Sequence, residues 1–326
     1  MIIGRSVHTT ESRKSHTGTV KKRTAVVGIG TAALAAMAVA SVRSRIKAMP
    51  VPETGTFPNT MDFARWGTGD KTVLWIPGGP GSDVPQGTFA ALSGAQFRPL
   101  LEAGYSVWQV TRRRNMPEGH NVEDMADDYA RLIEDHFGGR VDVVVGLSYG
   151  GMIVQYLAAD HPERVGKAVI ALAAARVTTW GHDVDRRWAQ ARAGGQWREA
   201  GEAMAEYIYP EPSQSRQRKV LGPLLAQMFK DEQVPAGDLR VESDAEVLFD
   251  ATDAVKRITV PTLVISAQED MFFDPEVVAQ TVAAIPGATA IEYGLIATFI
   301  AVAIIVGVRA LGIDLNAVFT NVAAEI

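Results

Sequence analysis

The residues best placed to do chemistry are in the string Gly146-Leu147-Ser148-Tyr149-Gly150, a G-x-S-x-G. A β-branched run, Val143-Val144-Val145, precedes it and reads as a fully buried strand. Residues 152–159 follow as a helix. Strand, sharp turn and helix together form a nucleophile elbow. Gly146 and Gly150 carry no Cβ, so strand and helix can pass close to the turn. Ser148 is then forced up at the strand's C-terminal end with its Oγ exposed. The helix N-terminus beneath it favours developing negative charge. The chemistry such a serine performs is nucleophilic attack on an acyl carbon, and it requires a base.

Composition narrows the alternatives. The 326 residues suffice for one large domain with additions. The chain has no cysteine, which excludes disulfides, thiolate catalysis and Cys-ligated zinc. No metal site or cofactor is expected. Residues 1–47 hold nine Lys/Arg and one acid, net +8, leaving −13 for the rest of a chain whose total is −5. A basic head on an acidic body argues against nucleic-acid binding and for a targeting segment.

The elements that must position Ser148 follow in order. Residues 1–47 form a basic segment, ending its polar part at Lys21-Lys22-Arg23, and an uncharged stretch at 24–42. That length is near the minimum for a membrane span. It reads as a signal anchor or, because Ala38-Val39-Ala40 fits a small-x-small cleavage pattern, a signal peptide. A buried Ala-rich helix is the plainer alternative. Residues 48–60, with Pro50, Pro52, Gly55 and Pro58, read as a linker. Short strands are expected at 63–66 and 73–76, joined through Gly67-Thr68-Gly69-Asp70. A helix at 89–101, a strand at 106–110 and a helix at 122–136 with Asn121 as N-cap come next. After the elbow a strand is expected at 168–172. Residues 176–258 are helical, with Trp180, Trp188, Trp197, Tyr207 and Tyr209 among many charges. This insertion reads as a lid over the C-terminal edge of the sheet, or as helices that only protect that edge. A strand at 262–265 and a helix at 275–284 complete the alternation, which predicts an α/β fold with a doubly wound, mostly parallel sheet.

Three features, in this order, resemble the α/β-hydrolase superfamily over residues 61–285: Pro77-Gly78-Gly79-Pro80-Gly81 after an early strand, the G-x-S-x-G, and Pro261-Thr262-Leu263-Val264-Ile265 with Asp270 just beyond. The resemblance implies Ser148 as nucleophile, the backbone N–H groups of Gly79 and Tyr149 as oxyanion hole, Asp270 as triad acid, and a small-molecule acyl substrate. Many relatives have His where this chain has Pro77; a hole built of backbone N–H groups survives that change. The family order is Ser, acid, His, with the His after the last strand. No histidine follows Asp270; the six are His8, His16, His120, His136, His161 and His182. His120, in a loop at the C-terminal edge, and His182, in the lid, are the two that could approach the serine. His161 belongs to a loop at the opposite end of the sheet, and His136 ends a surface helix. The resemblance therefore implies an impaired ester hydrolase.

From residue 287 the chain resembles a Flp-type (type IVb) pilin. Gly287 occupies the prepilin cleavage position, Glu292 stands five residues on, Tyr293 is beside it, and an apolar run continues to Val308. That implies a long helix, membrane association, and prepilin peptidase and other pilin subunits as partners. The leader would be 287 residues, and the charges flanking both apolar stretches place the hydrolase domain outside the membrane, opposite to pilin orientation. A pilin-type structural protein with a passenger hydrolase, or a non-catalytic binding module, are the rival readings. The chain reads as a hydrolase truncated within its last helix–strand unit. Its final strand is expected to be absent, leaving 262–265 as an open edge.

Overall fold

The computed structural model describes residues 51–229, 234–267 and 270–293. Eight strands form one sheet in the order β1-β2-β4-β3-β5-β6-β7-β8. They are β1 (Glu53–Thr56), β2 (Asp62–Trp66), β3 (Lys71–Ile76), β4 (Tyr105–Val110), β5 (Val143–Leu147), β6 (Ala168–Ala171), β7 (Thr262–Ala267) and β8 (Thr289–Tyr293). From β4 to β8 every pairing is parallel; β1 pairs antiparallel with β2, and β2 with β4.

Alternation along the strands assigns the two faces. Leu74, Ile76, Val110 and Val144 point into the larger core, with α3 (Val122–His136) and α4 (Tyr149–Asp160). Trp66, Val73, Val107 and Val145 point the other way and meet Phe97, Leu100 and Leu101. Leu100 and Leu101 belong to α2 (Arg98–Glu102), and Phe97 is the junction between it and α1 (Gly87–Gln96). β5 is apolar throughout because both of its faces are covered. The α3 helix starts as expected: Asn121 Oδ1 accepts the Asp124 N–H at 2.9 Å and Asp124 Oδ2 accepts the Asn121 N–H at 2.9 Å.

Three assignments differ from the expectation: residues 53–56, the helix at 89–101 and the end of the sheet. Residues 53–56, read as linker, are β1. Pro58 falls in the turn beyond the strand, so no ladder N–H is lost, and Gly55 lets the Phe63 ring lie where a Cβ would be 2.8 Å away. β2 and β3 fall where expected, joined through residues 67–70, and β4 lies between them in the sheet. The helix expected at 89–101 is two helices, since Pro99 has no N–H to continue the first. Most consequentially, the final strand exists. Thr289–Tyr293 lies parallel to β7, with Leu263 opposite Thr289 and Ala267 opposite Tyr293. The chain turns out of α9 (Pro275–Ala284) through Gly287 at φ 71°. The unpaired groups of β7 recruit the next stretch able to run extended, and here that stretch is the start of the pilin-like segment.

Between β6 and β7 stand four helices: α5 (Thr179–Ala193), α6 (Trp197–Glu206), α7 (Ser215–Phe229) and α8 (Ala236–Val247). Among the described residues no helix is long and apolar enough to cross a membrane. The stretch at 24–42 and the apolar run from 294 lie outside the described residues, as does the basic head.

Candidate active site

Ser148 sits between β5 and α4 at φ 51°, ψ −115°, a conformation that costs a non-glycine residue about 1–3 kcal/mol. Its surroundings leave no alternative. A Cβ on Gly146 would stand 2.2 Å from the Gly150 carbonyl oxygen, and one on Gly150 2.2 Å from that of Ile76. The strand before the serine and the helix after it are thus pressed together. The Ser148 N–H donates to the Ala171 carbonyl at 2.8 Å, which ties the turn to β6.

The loop after β3 runs beside the serine: a Cβ on Gly78 would be 3.1 Å from Ser148 Cβ. Gly79 follows at φ 66°, and Tyr149 is the first residue of α4. The two expected oxyanion donors are therefore on the two segments that flank Ser148. The lid closes over them. A Cβ on Gly79 would meet the Trp188 ring at 2.9 Å, and Arg192 Nη1 donates to the Pro80 carbonyl at 2.6 Å, both from α5.

Beneath this loop lies a buried ion pair that the sequence did not single out. Arg112, just past β4, and Glu242, on α8, are each 1% exposed, with Nε 2.8 Å from Oε1. Arg112 Nη1 donates to the Pro77 carbonyl at 2.9 Å and Nη2 to Glu242 Oε2 at 2.9 Å and to the Gly79 carbonyl. The guanidinium is 4.7 Å from the centre of the Tyr149 ring. Glu242 Oε2 also accepts the Gly81 N–H, and its backbone carbonyl accepts the Tyr149 hydroxyl at 2.8 Å. Glu242 is the middle of three buried acids on α8. Asp238, one turn before, accepts the N–H groups of Asn115 and Met116 at 3.0 and 2.8 Å. Glu246, one turn after, lies beside Asp185 of α5, which accepts the Tyr207 hydroxyl. Burial raises the Glu246 carboxyl to about 7, and burial beside Glu246 holds Asp185 well above the usual carboxylate range. The spacing 238, 242, 246 is one face of a helix and was the available signal.

Asp270 follows β7. Its Oδ1 accepts the N–H groups of Phe272 and Phe273 at 2.9 and 3.2 Å. Burial raises its carboxyl above the usual range, against those two bonds. The lid is fastened here as well: Thr178 Oγ1 donates to the Met271 carbonyl at 2.7 Å, and the Tyr207 and Trp180 rings pack edge-on against Phe272.

The histidines are elsewhere. His120 Nε2 is 2.9 Å from Asp128 Oδ2, buried against α3. His161 Nε2 is 2.7 Å from Asp127 Oδ1, and His136 lies against Phe57. His182 Nδ1 is 3.5 Å from Glu246 Oε1 in the lid, and burial lowers its pKa. Among the described residues none of them bonds to Ser148 or Asp270; His8 and His16 lie outside that set. Of the pilin-like motif, Gly287 forms the turn before β8, and the backbones of Glu292 and Tyr293 pair opposite Ser266 and Ala267. Among the described residues no cluster could hold a metal ion.

Comparison with known proteins bears on both parts. The model described as alpha/beta hydrolase family matches residues 73–294, and that described as Flp/Fap pilin component matches 286–326. The two overlap across β8. Among solved structures, the chain is similar to the enol-lactonase from Burkholderia xenovorans LB400, at 21% identity over 74% of this chain and 91% of that one, TM-score 0.54. It is similar to a hydrolase from Pseudomonas aeruginosa PA01 at 19% identity, 80% and 98% coverage, TM-score 0.55. A thermophilic esterase from Thermogutta terrifontis matches at 23% identity, 75% and 89% coverage, TM-score 0.53. Likeness at this level establishes a shared fold.

Proposed function

The chain belongs to the alpha/beta hydrolase family, and from that premise we propose that it is a serine hydrolase of ester-type acyl bonds whose turnover is crippled by the want of a base. The observation that carries this reading is the strained Ser148 elbow, φ 51°, held beside Gly79 and Tyr149. Backbone strain of that kind is kept where a nucleophile must be presented. Ser148 Oγ attacks the acyl carbon, the carbonyl oxygen becomes an oxyanion facing the Gly79 and Tyr149 N–H groups, and the bond to the leaving alkoxide breaks. Water then attacks the acyl-serine and releases the acid. In each half the attacking O–H must lose its proton and the leaving oxygen gain one. Among the described residues no imidazole bonds to Asp270, so protons pass to and from solvent. The rate falls roughly four to six orders of magnitude below that of a complete triad.

A fluorophosphonate probe tests this. Labelling of Ser148 should be slow, absent in Ser148→Ala, and accelerated by free imidazole, which supplies the missing base from solution. Rapid labelling without imidazole would mean that another group activates the serine.

The second reading takes the match at 286–326 as the working part: a membrane-associated, pilin-type chain with the hydrolase domain as passenger, meeting prepilin peptidase and other pilin subunits. Peptidase cleavage after Gly287 favours it; an intact chain after exposure to the enzyme counts against it.

A further inference from the structure

The two oxyanion donors belong to segments far apart in sequence, and what holds them in register is a residue of the lid. The Gly79 N–H lies in the peptide plane between residues 78 and 79. The plane before it is fixed through the Pro77 carbonyl, which accepts from Arg112 Nη1 at 2.9 Å. The plane after it is fixed through the Gly79 carbonyl, which accepts from Arg112 Nη2. The next plane is fixed through the Gly81 N–H, which donates to Glu242 Oε2. The other donor, Tyr149, is held at its ring by the Arg112 guanidinium at 4.7 Å and at its hydroxyl by the Glu242 carbonyl at 2.8 Å. Arg112 in turn is aimed by Glu242, through contacts of 2.8 and 2.9 Å.

We propose that Glu242, acting through Arg112, is the positioning residue of the oxyanion hole, so that the hole is assembled only while α8 is docked on the loop after β3. The inference rests on the reading of Ser148, Gly79 and Tyr149 as an acyl-transfer site. Chemistry dictates the residue types. An arginine offers a planar fork that serves two carbonyls and a carboxylate at once, which a lysine cannot. With both side chains 1% exposed, neither charge has water to replace its partner, so loss of one leaves the other aimed at nothing.

The test uses the full chain in detergent micelles, as wild type, Glu242→Gln and Ile133→Val. The last is a core substitution in α3 that lowers stability at a residue making none of the clamp's contacts. Hydrogen exchange of the peptide spanning residues 77–84 reads the clamp directly. It should quicken at least about tenfold in Glu242→Gln and remain at the wild-type rate in Ile133→Val. Phenylboronic acid reads the hole: Ser148 Oγ forms a B–O bond, its proton passes to solvent, and the tetrahedral boronate carries its charge where the oxyanion would stand. Boronate affinity should fall at least about tenfold in Glu242→Gln, given that a displacement near 1 Å can cost about a hundredfold. Exchange at 77–84 unchanged in Glu242→Gln, or quickened equally in Ile133→Val, overturns the proposal. Boronate affinity unchanged while exchange quickens also overturns it, since the loop would then move without consequence for the hole. If wild type and Ser148→Ala bind boronate equally while the exchange difference stands, the ester-hydrolase reading fails and the clamp does not.

Discussion

Ending the chain at residue 286 or at residue 293 should produce proteins of very different stability, although they differ by seven residues. The shorter fragment, 51–286, loses β8; the longer, 51–293, keeps it. Five residues of β8 pair with five of β7, which implies about four ladder hydrogen bonds at about 1 kcal/mol net each. Ala288 also packs against the larger core. The expected loss is therefore about 4 kcal/mol, a large share of a total near 5–15 kcal/mol. For a domain of this size that corresponds to roughly 8–16 °C in melting temperature. Thermal unfolding followed by circular dichroism, with light scattering for aggregation at the exposed β7 edge, measures it. Coincident melting of the two fragments within about 2 °C would refute the argument that the first residues of the pilin-like segment finish the hydrolase sheet.

Three further outcomes follow from particular residues. Because the folded-state pKa of Glu246 is raised from 4.5 to about 7, the native state keeps a proton there that the unfolded chain has released; stability should fall by a few kcal/mol as pH rises from about 4.5 to 7 and then level off. Glu246→Gln should remove that residue's share of the slope, leaving the share of Asp185, and raise the melting temperature at pH 8 more than at pH 5; parallel pH profiles for the two proteins would contradict it. Gly150→Ala, whose Cβ would stand 2.2 Å from the Ile76 carbonyl oxygen, should cost about 3 kcal/mol. Gly237→Ala, on α8 with nothing within 4 Å, should instead stabilise by about 0.5–1 kcal/mol, and chemical denaturation of the pair decides both. The full chain should sediment with membranes, on the strength of its uncharged stretches at 24–42 and 294–308; recovery in the supernatant without detergent would contradict this.

The elbow was legible because its signal is local. A buried strand, two glycines and a helix stand within some fifteen residues, and each constrains the next. The N-cap at Asn121 and the strand–helix alternation are of the same kind. β8 was not legible, because the apolar run that begins there has the length and composition of a helix. What makes residues 289–293 extended is the unpaired edge of β7, which no local pattern records. β1 was hidden for a related reason: prolines at 50, 52 and 58 read as linker, although none of them falls between residues 53 and 56. Arg112 and Glu242 stand 130 positions apart, each amid other charges, so neither stands out in the sequence. Only the closed lid reveals that they bury one another. The absence of a histidine after Asp270, by contrast, was plain in the sequence, and none of the described histidines bonds to Ser148.

Since β5 and β8 run in the same direction, their ends emerge on one rim. Ser148 follows the first and residue 294 the second, with β6 and β7 between them. Three strand spacings of about 4.8 Å separate the two exits by about 14 Å. The last described residue, Tyr293, thus ends on the same rim as the mouth of the site. Any ester bound for Ser148 therefore approaches along the rim on which the pilin-like match takes over from the hydrolase match.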